Sequence, residues 1–301
     1  MNTNSENIYL ISKKTKFYTF FFSFLIFLVG FIFNFPFQKT IENKLNEQIS
    51  QIRNCNINYS KMNLSVFLPS INLISPTISG RCISSLSSSI NLSKFTLALN
   101  GPSFIPFGIR IKTTIHNKKN HLPIYLSQGL SSTAIKIPET KIKSSFVSDL
   151  LNEKVYFKGD LLLETIINIE DKKAVDSAIK LKSENLSIPS MTIANFNLPF
   201  LKIGNLMLEL ILDDKNKLKI KTFVIGANFS PIMARATGYL TLNQNKILKS
   251  KLNISGSIKF SEEFIEQFSI ISMLLASKKQ DEGNYQFSLK GIIQSPKFDF
   301  L

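Results

Sequence analysis

From Ile57 to the C-terminus, apolar and polar residues alternate with a period of two, and each run predicts a strand that packs one face and wets the other. Ile71-Asn72-Leu73, Ile90-Asn91-Leu92, Phe95-Thr96-Leu97-Ala98-Leu99 and Ile109-Arg110-Ile111 show it first, with Asn100-Gly101-Pro102 and Pro106-Phe107-Gly108 reading as turns. His116-Asn117-Lys118-Lys119-Asn120-His121 reads as a polar loop. Further strands are expected at 133–137, 155–157, 161–169, 177–181 and 186–188. The C-terminal third is the most regular. Residues 206–212 and 218–223 form a hairpin about the polar stretch 213–217, 234–242 and 251–258 form another, and the last strand covers 285–293, ending at Ser295-Pro296. Consecutive hairpins make an antiparallel meander.

Two stretches within this region carry a helical pattern instead. Residues 144–153 place Phe146, Leu150 and Leu151 on one face. A second helix starts at Ser261 as N-cap, with Glu262 and Glu263 against the positive end of the helix dipole. Its apolar face is Phe264, Phe268, Ile271 and Leu275, and Lys278-Lys279 close it. Such a helix covers an open end of the sheet. The expected fold is mainly β: a curved antiparallel sheet, groove or sandwich, with a few short capping helices.

Before Ile57 the pattern changes. Phe37, Ile41, Leu45, Ile49 and Ile52 recur at helical spacing, with Lys39, Glu42, Lys44 and Glu47 between them, so 38–52 reads as an amphipathic helix. Upstream, residues 17–37 (FYTFFFSFLIFLVGFIFNFPF) contain no charge, and at ~1.5 Å per residue they match the roughly 30 Å hydrocarbon core of a bilayer. They are expected to form a single transmembrane anchor, with Phe17, Phe21, Phe24, Leu28, Phe31, Phe35 and Pro36 among its membrane-facing residues. Lys13, Lys14 and Lys16 place residues 1–16 in the cytoplasm and the β-rich domain, 53–301, across the membrane. A cleaved secretory signal is the competing reading. It needs a shorter apolar core and small residues at a cleavage site, where this chain has Phe33-Asn34-Phe35-Pro36-Phe37.

The formal charge is +15, but the lysines are spread along the chain, most of them singly between apolar residues, rather than clustering into a stripe. That argues against nucleic acid as partner and for anionic lipid headgroups. Cys55 and Cys82 are the only cysteines. In an oxidising compartment a bridge between them would close a loop of about 28 residues and contribute roughly 3 kcal/mol; two separate thiols are the alternative. No catalytic set stands out. His116 and His121 lack a nearby cysteine or acidic cluster that would complete a metal site, and Asp213-Asp214 sit at a hairpin tip, where turn formation explains them. No phosphate loop, dinucleotide fingerprint or nucleophile elbow is present. The chain is expected to be non-enzymatic, with no cofactor and no metal.

The ordered features resemble the type II secretion protein N family, GspN, and more loosely the AsmA-like periplasmic domains. The resemblance lies in the lysine-flanked anchor leaving through Phe35-Pro36, the amphipathic helix to Ile52, and strands broken by Pro69 and Pro76. It continues in Leu198-Pro199-Phe200-Leu201-Lys202-Ile203-Gly204-Asn205-Leu206 and in the ending, DEGNYQFSLKGIIQSPKF, residues 281–298. The resemblance implies a single-pass protein of the bacterial inner membrane with a β-rich periplasmic domain, working among the components of type II secretion. The AsmA-like similarity implies lipid handling at the cell envelope instead. Neither supplies catalytic residues. Whether the apolar face is sealed or open to lipid is the question the sequence leaves to the structure.

Overall fold

The computed structural model describes residues 13–34, 37–51, 56–65, 69–79, 89–118, 120–151, 157–171, 173–193, 196–213, 216–243, 246–268 and 283–301. The chain divides into two compact units, Met1–Gln51 and Ile52–Leu301.

The first unit consists of α1 (Lys13–Asn34) and α2 (Phe37–Gln51). The large apolar side chains described on α1, from Phe17 to Phe27, are exposed on every side of the helix. Among the described residues, however, no helix is long and apolar enough to cross a membrane. Phe17, Phe21 and Phe24 lie on α1 with exposed side chains; of Leu28 and Phe31 only the helical backbone is described, and Phe35 and Pro36 lie outside the described residues. Helix α2 carries the expected amphipathic segment, with Lys44 and Glu47 paired at 3.0 Å one turn apart.

In the second unit, alternation produces strands throughout. In chain order these are β1 (Ile57–Asn58), β2 (Lys61–Ser65), β3 (Ser70–Ile74), β4 (Thr77–Ile78), β5 (Ile90–Asn91), β6 (Lys94–Phe104) and β7 (Phe107–Asn117). Then come β8 (Asn120–Gly129), β9 (Ser132–Lys143), β10 (Asp160–Glu170), β11 (Lys173–Ile188), β12 (Met191–Ile193) and β13 (Phe196–Leu198). The last six are β14 (Leu201–Leu212), β15 (Lys217–Ile225), β16 (Ile232–Thr241), β17 (Lys251–Phe260), β18 (Asn284–Ile292) and β19 (Ser295–Phe300). Fourteen of them form one sheet in the order β2-β3-β6-β7-β8-β9-β10-β11-β14-β15-β16-β17-β18-β19. Every pairing is antiparallel and joins neighbours along this order, so the sheet is a meander whose edge strands, among the described residues, are β2 and β19. The remaining strands form small ladders, β1-β4-β5 and β12-β13. Of the two architectures expected, groove or sandwich, no second large sheet faces this one among the described residues.

The two ends of the strands differ. Long connections leave from one end, including α3 (Ser144–Leu151) between β9 and β10, and α4 (Glu262–Gln267) between β17 and β18. Tight turns join β6 to β7, β8 to β9 and β10 to β11 at the other end. Helix α4 begins as its sequence predicts: Ser261 Oγ accepts the backbone N–H of Phe264 at 3.2 Å. Its expected continuation through Ile271, Leu275, Lys278 and Lys279 lies outside the described residues, as do Cys55 and Cys82.

Several expectations are corrected. Asn100-Gly101-Pro102 is not a turn but part of β6. Gly101, at φ 88°, forms a bulge at which the register with β7 shifts between Leu99 and Pro102, and the chain continues to Phe104. The polar stretch from His116 to His121 is not an open loop, because β7 and β8 run through both histidines to a tight turn. The strands expected at 177–181 and 186–188 are one strand, β11, whose register against β14 shifts after Ser183. Phe157 is not in a strand; it packs on apolar side chains at the helix-bearing end, and Val155 and Tyr156 lie outside the described residues. The chain also does not end its pairing at Ser295-Pro296. A proline at a sheet edge removes no ladder bond, so β19 runs on to Phe300.

Candidate functional site

Cross-strand register decides which side chains share a face, because directly opposed residues of antiparallel strands point the same way. Leu99, Ile111, Leu126, Ile135 and Ile167 oppose one another in turn across β6 to β10. Farther along, Leu163, Leu181, Leu208 and Phe223 form a rung across β10 to β15. Ile179, Leu210 and Ile220 form the next, and it continues through Gly238 to Ile254, Leu289 and Phe298. At the first edge Leu64, Ile71 and Leu97 lie on the same side. One face of the sheet is therefore apolar on all fourteen strands.

The opposite face carries the charge. Ala98, Lys112, Tyr125 and Lys136 form one of its rungs, with the Lys112 ammonium 5.7 Å from the Tyr125 ring centre. Lysine and carboxylate pair across strands at Lys180–Glu164 (3.1 Å), Lys221–Glu209 (3.1 Å) and Lys141–Asp160 (2.9 Å). Lys141 holds the Asp160 carboxyl below its usual range, and Glu164 raises the Lys180 ammonium. These pairs are solvent-exposed and stabilise little individually; their consequence is that one face stays wet.

Burial of the apolar face is uneven. At the helix-bearing end, Phe146 of α3 packs on Leu122, Ile142 and Leu161, and Phe264 of α4 packs on Leu186, Leu201 and Ile203. Both clusters lie where strands meet the long connections. Toward the middle, Leu163, Leu181, Leu208, Leu210 and Ile220 are only half-buried, and at the far end Leu99 and Ile109 are exposed. Fourteen strands at ~4.8 Å spacing and about 30 Å of strand length give a face on the order of 1,800 Å², several times the apolar patch a monomeric protein usually exposes. The face is most deeply buried beneath α3 and α4, partly buried in the middle, and exposed at Leu99 and Ile109.

No family model matches the chain, and no curated protein or solved structure matches it. The GspN resemblance therefore rests on the quoted residues alone, of which β18 and β19 hold most of the closing segment.

The candidate chemical residues do not assemble into a reactive site. His116 and His121 oppose each other on β7 and β8 with ring centres 6.3 Å apart, on the charged face beside Lys94. Asp213 acts as a turn residue: one carboxylate oxygen accepts the Lys217 N–H at 2.9 Å, and the other pairs with Lys219 at 3.2 Å. Asp214 lies outside the described residues. No cluster of three or more metal-ligating side chains occurs among the described residues. A cavity of about 300 Å³ is lined by Gly226, Arg235 and Lys259 among others, with no carboxylate or histidine in its walls. Sequence reasoning located the apolar positions but missed this cavity, because Gly226, Arg235 and Lys259 meet only through the β15–β16 turn and the β16–β17 ladder.

His116 carries a pH prediction. Partial burial, then Lys94 and His121, lower its pKa from the ordinary 6.5, so the fold disfavours the charged ring. The unfolded chain takes up the proton first as pH falls below about 6.5, so stability present above that value is lost as pH drops through the folded-state pKa. Urea unfolding of His116→Gln between pH 7.5 and 5 is expected to show a smaller loss of stability on acidification than the parent. An unchanged slope would remove His116 as its source.

Proposed function

We propose that the chain is a membrane-anchored, non-enzymatic protein whose sheet forms a groove for lipid acyl chains, serving lipid handling at the bacterial envelope as the AsmA-like similarity implies. The observation that carries this reading is the apolar face extending over all fourteen strands, with no second large sheet against it among the described residues. An apolar surface of that extent costs free energy in water, at about 25 cal/mol per Å², and acyl chains are the ligands that match its length and lack of polar contacts. The lysine-bearing face remains in solvent, so the two faces have separate roles.

Anchoring by residues 17–37, with the N-terminus cytoplasmic and the β-rich domain periplasmic, belongs to the same proposal. Its support is the ring of exposed phenylalanines on α1, which water does not favour, and the lysines at the start of that helix. Native mass spectrometry of the full chain, extracted in mild detergent, tests the groove. Bound phospholipid that survives exchange into a second detergent is expected. A spectrum showing only the bare chain, together with no lipid in solvent extracts of the sample, would sink the reading.

A component of the type II secretion machinery is the second reading. Besides the resemblance of residues 281–298, it is favoured by β19, an edge strand with no strand on its outer side among the described residues, where a partner strand could pair. Crosslinking from the edge of β19 in cells that export folded proteins should recover a secretion component if this reading holds. Recovery of none, with export unchanged on deletion, would dismiss it.

A further inference from the structure

Among the described residues the sheet ends at β19, a strand whose sequence is complementary to itself. Its residues, Ser295-Pro296-Lys297-Phe298-Asp299-Phe300, alternate between the two faces. Phe298 and Phe300 stand on the apolar face, where Phe298 stacks on Phe287 at 5.4 Å between ring centres and meets Phe300 edge-on at 5.0 Å. Phe298 is 51% exposed, although it continues the rung of Ile254 and Leu289. Lys297 and Asp299 stand on the charged face, opposite Lys290 and Ser288 of β18. The cross-strand ion pairs of that face, Lys141–Asp160, Lys180–Glu164, Lys219–Asp213 and Lys221–Glu209, include neither of them.

The ladder to β18 fixes which backbone groups turn outward. Leu301 donates its N–H to the Gln286 carbonyl at 2.9 Å, and the β18–β19 register runs without a shift. The alternation of an antiparallel pair therefore turns Ser295, Lys297 and Asp299 toward β18, and Pro296, Phe298 and Phe300 away from it. Pro296 contributes only a carbonyl to this outer edge.

Two copies of β19 laid antiparallel about a twofold axis at Phe298 match these features. Each Phe298 exchanges both backbone hydrogen bonds with its counterpart, and each Phe300 N–H meets the Pro296 carbonyl of the other copy. Both outward N–H groups of each copy thus find a carbonyl. On the charged face, Lys297 of each copy comes opposite Asp299 of the other, at the closely spaced positions where side chains interact most. An axis one residue earlier or later would set lysine against lysine or aspartate against aspartate. Charge therefore selects one register. A lysine and a proline discourage indiscriminate pairing at an edge, and this register accommodates both. The other edge strand, β2, carries Lys61 and no carboxylate, so it lacks this self-complementarity.

We infer that β19 is an interaction surface for a second copy of this chain, joined as an isologous antiparallel pair centred on Phe298. The twofold axis is perpendicular to the sheet, so the apolar faces of both copies fall on one side and the lysine-bearing faces on the other. This inference goes beyond the lipid-groove reading and stands without it, since it concerns the edge of the sheet and not the face. It gives to the chain itself the edge that the secretion reading gives to another protein's strand.

Charge reversal provides the test. Sedimentation of the full chain in mild detergent should show a reversible monomer–dimer equilibrium. Lys297→Glu or Asp299→Lys alone sets like charges together twice in the symmetric pair, and each should weaken dimerisation by about 10-fold or more. The two together restore opposite charges and should return the affinity to within about threefold of the parent. Register is read separately by disulfide crosslinking, in a chain whose Cys55 and Cys82 are replaced by serine. Phe298→Cys places two thiols at the axis, with Cα atoms about 5.5 Å apart and within disulfide reach, whereas Ser295→Cys keeps them about 20 Å apart. A crosslinked dimer is expected at 298 and none at 295. A monomer with no crosslink at 298, a double variant as weak as the single ones, equal crosslinking at both positions, or open assemblies larger than a dimer overturns the inference. So does a thiol at 298 that crosslinks in cells to another protein and not to its own copy. Far-UV circular dichroism of each variant, matched to the parent, ensures that the reading is of a folded protein.

Discussion

If the apolar face holds acyl chains as proposed, glutamates at Leu210 and Ile220 together are expected to strip bound lipid from the protein while leaving its sheet in place. The two side chains oppose each other on β14 and β15, half-buried on the apolar face and away from the clusters under α3 and α4. A carboxylate held against acyl chains costs several kcal/mol unless it is neutralised, so two of them reduce lipid occupancy by about 100-fold or more. The fold loses far less, on the order of 1 kcal/mol per site, because each position is already partly in water. Ile211→Glu is the matched control: the next residue on β14, it faces the charged side opposite Lys219 and should leave lipid unchanged. Native mass spectrometry reads all three proteins. Equal lipid in the double variant and the parent would mean that acyl chains do not lie on this face, whatever else the sheet binds.

Phe146→Ala removes about 3–5 kcal/mol of stability, the largest effect expected of a single substitution. The ring is 1% exposed and packs on Leu122, Ile142 and Leu161, drawn from three consecutive strands. In a single-layer sheet most face residues have neighbours on one side only, so the few sites enclosed on all sides hold a large share of the packing. Neither solvent nor a lipid ligand can fill the space left beneath α3 with equal contact. Urea denaturation followed by far-UV circular dichroism should show the midpoint falling well below that of a Leu163→Ala variant, whose side chain lies at the margin of the same cluster. A loss under about 1 kcal/mol would show that α3 is not the cap it resembles.

How much of this was legible in the sequence depends on the range of the interactions that decide each element. Alternation placed 161–169 in β10 and 206–212 in β14, and the Ser261 cap located the start of α4, because each is settled by residues a few positions apart. Gly101 was misread because a glycine of positive φ serves a turn and a bulge alike, and only pairing with β7 chooses between them. The His116–His121 stretch hid the ends of two strands, since polar residues on a wet face carry no apolar signal. The candidate surface was half legible. That each strand had an apolar face was written in the alternation, but the rung of Leu163, Leu181, Leu208 and Phe223 was not, because residues of four strands meet there only through the ladders from β10 to β15.

The sequence by itself therefore determined the type of most elements: period two for strands, a helical spacing before Ile57, a run of phenylalanine free of charge, and a basic balance spread along the chain. Those are local properties, fixed by backbone geometry and by which side chains shun water. Only the tertiary structure decided that the strands join in one meander of fourteen, that all their apolar faces fall on the same side, and that α3 and α4 both lie at one end. The reason is physical. Register and strand neighbours depend on backbone hydrogen bonds between distant segments, and a shift of one residue in any of them would have turned an apolar face toward the lysines.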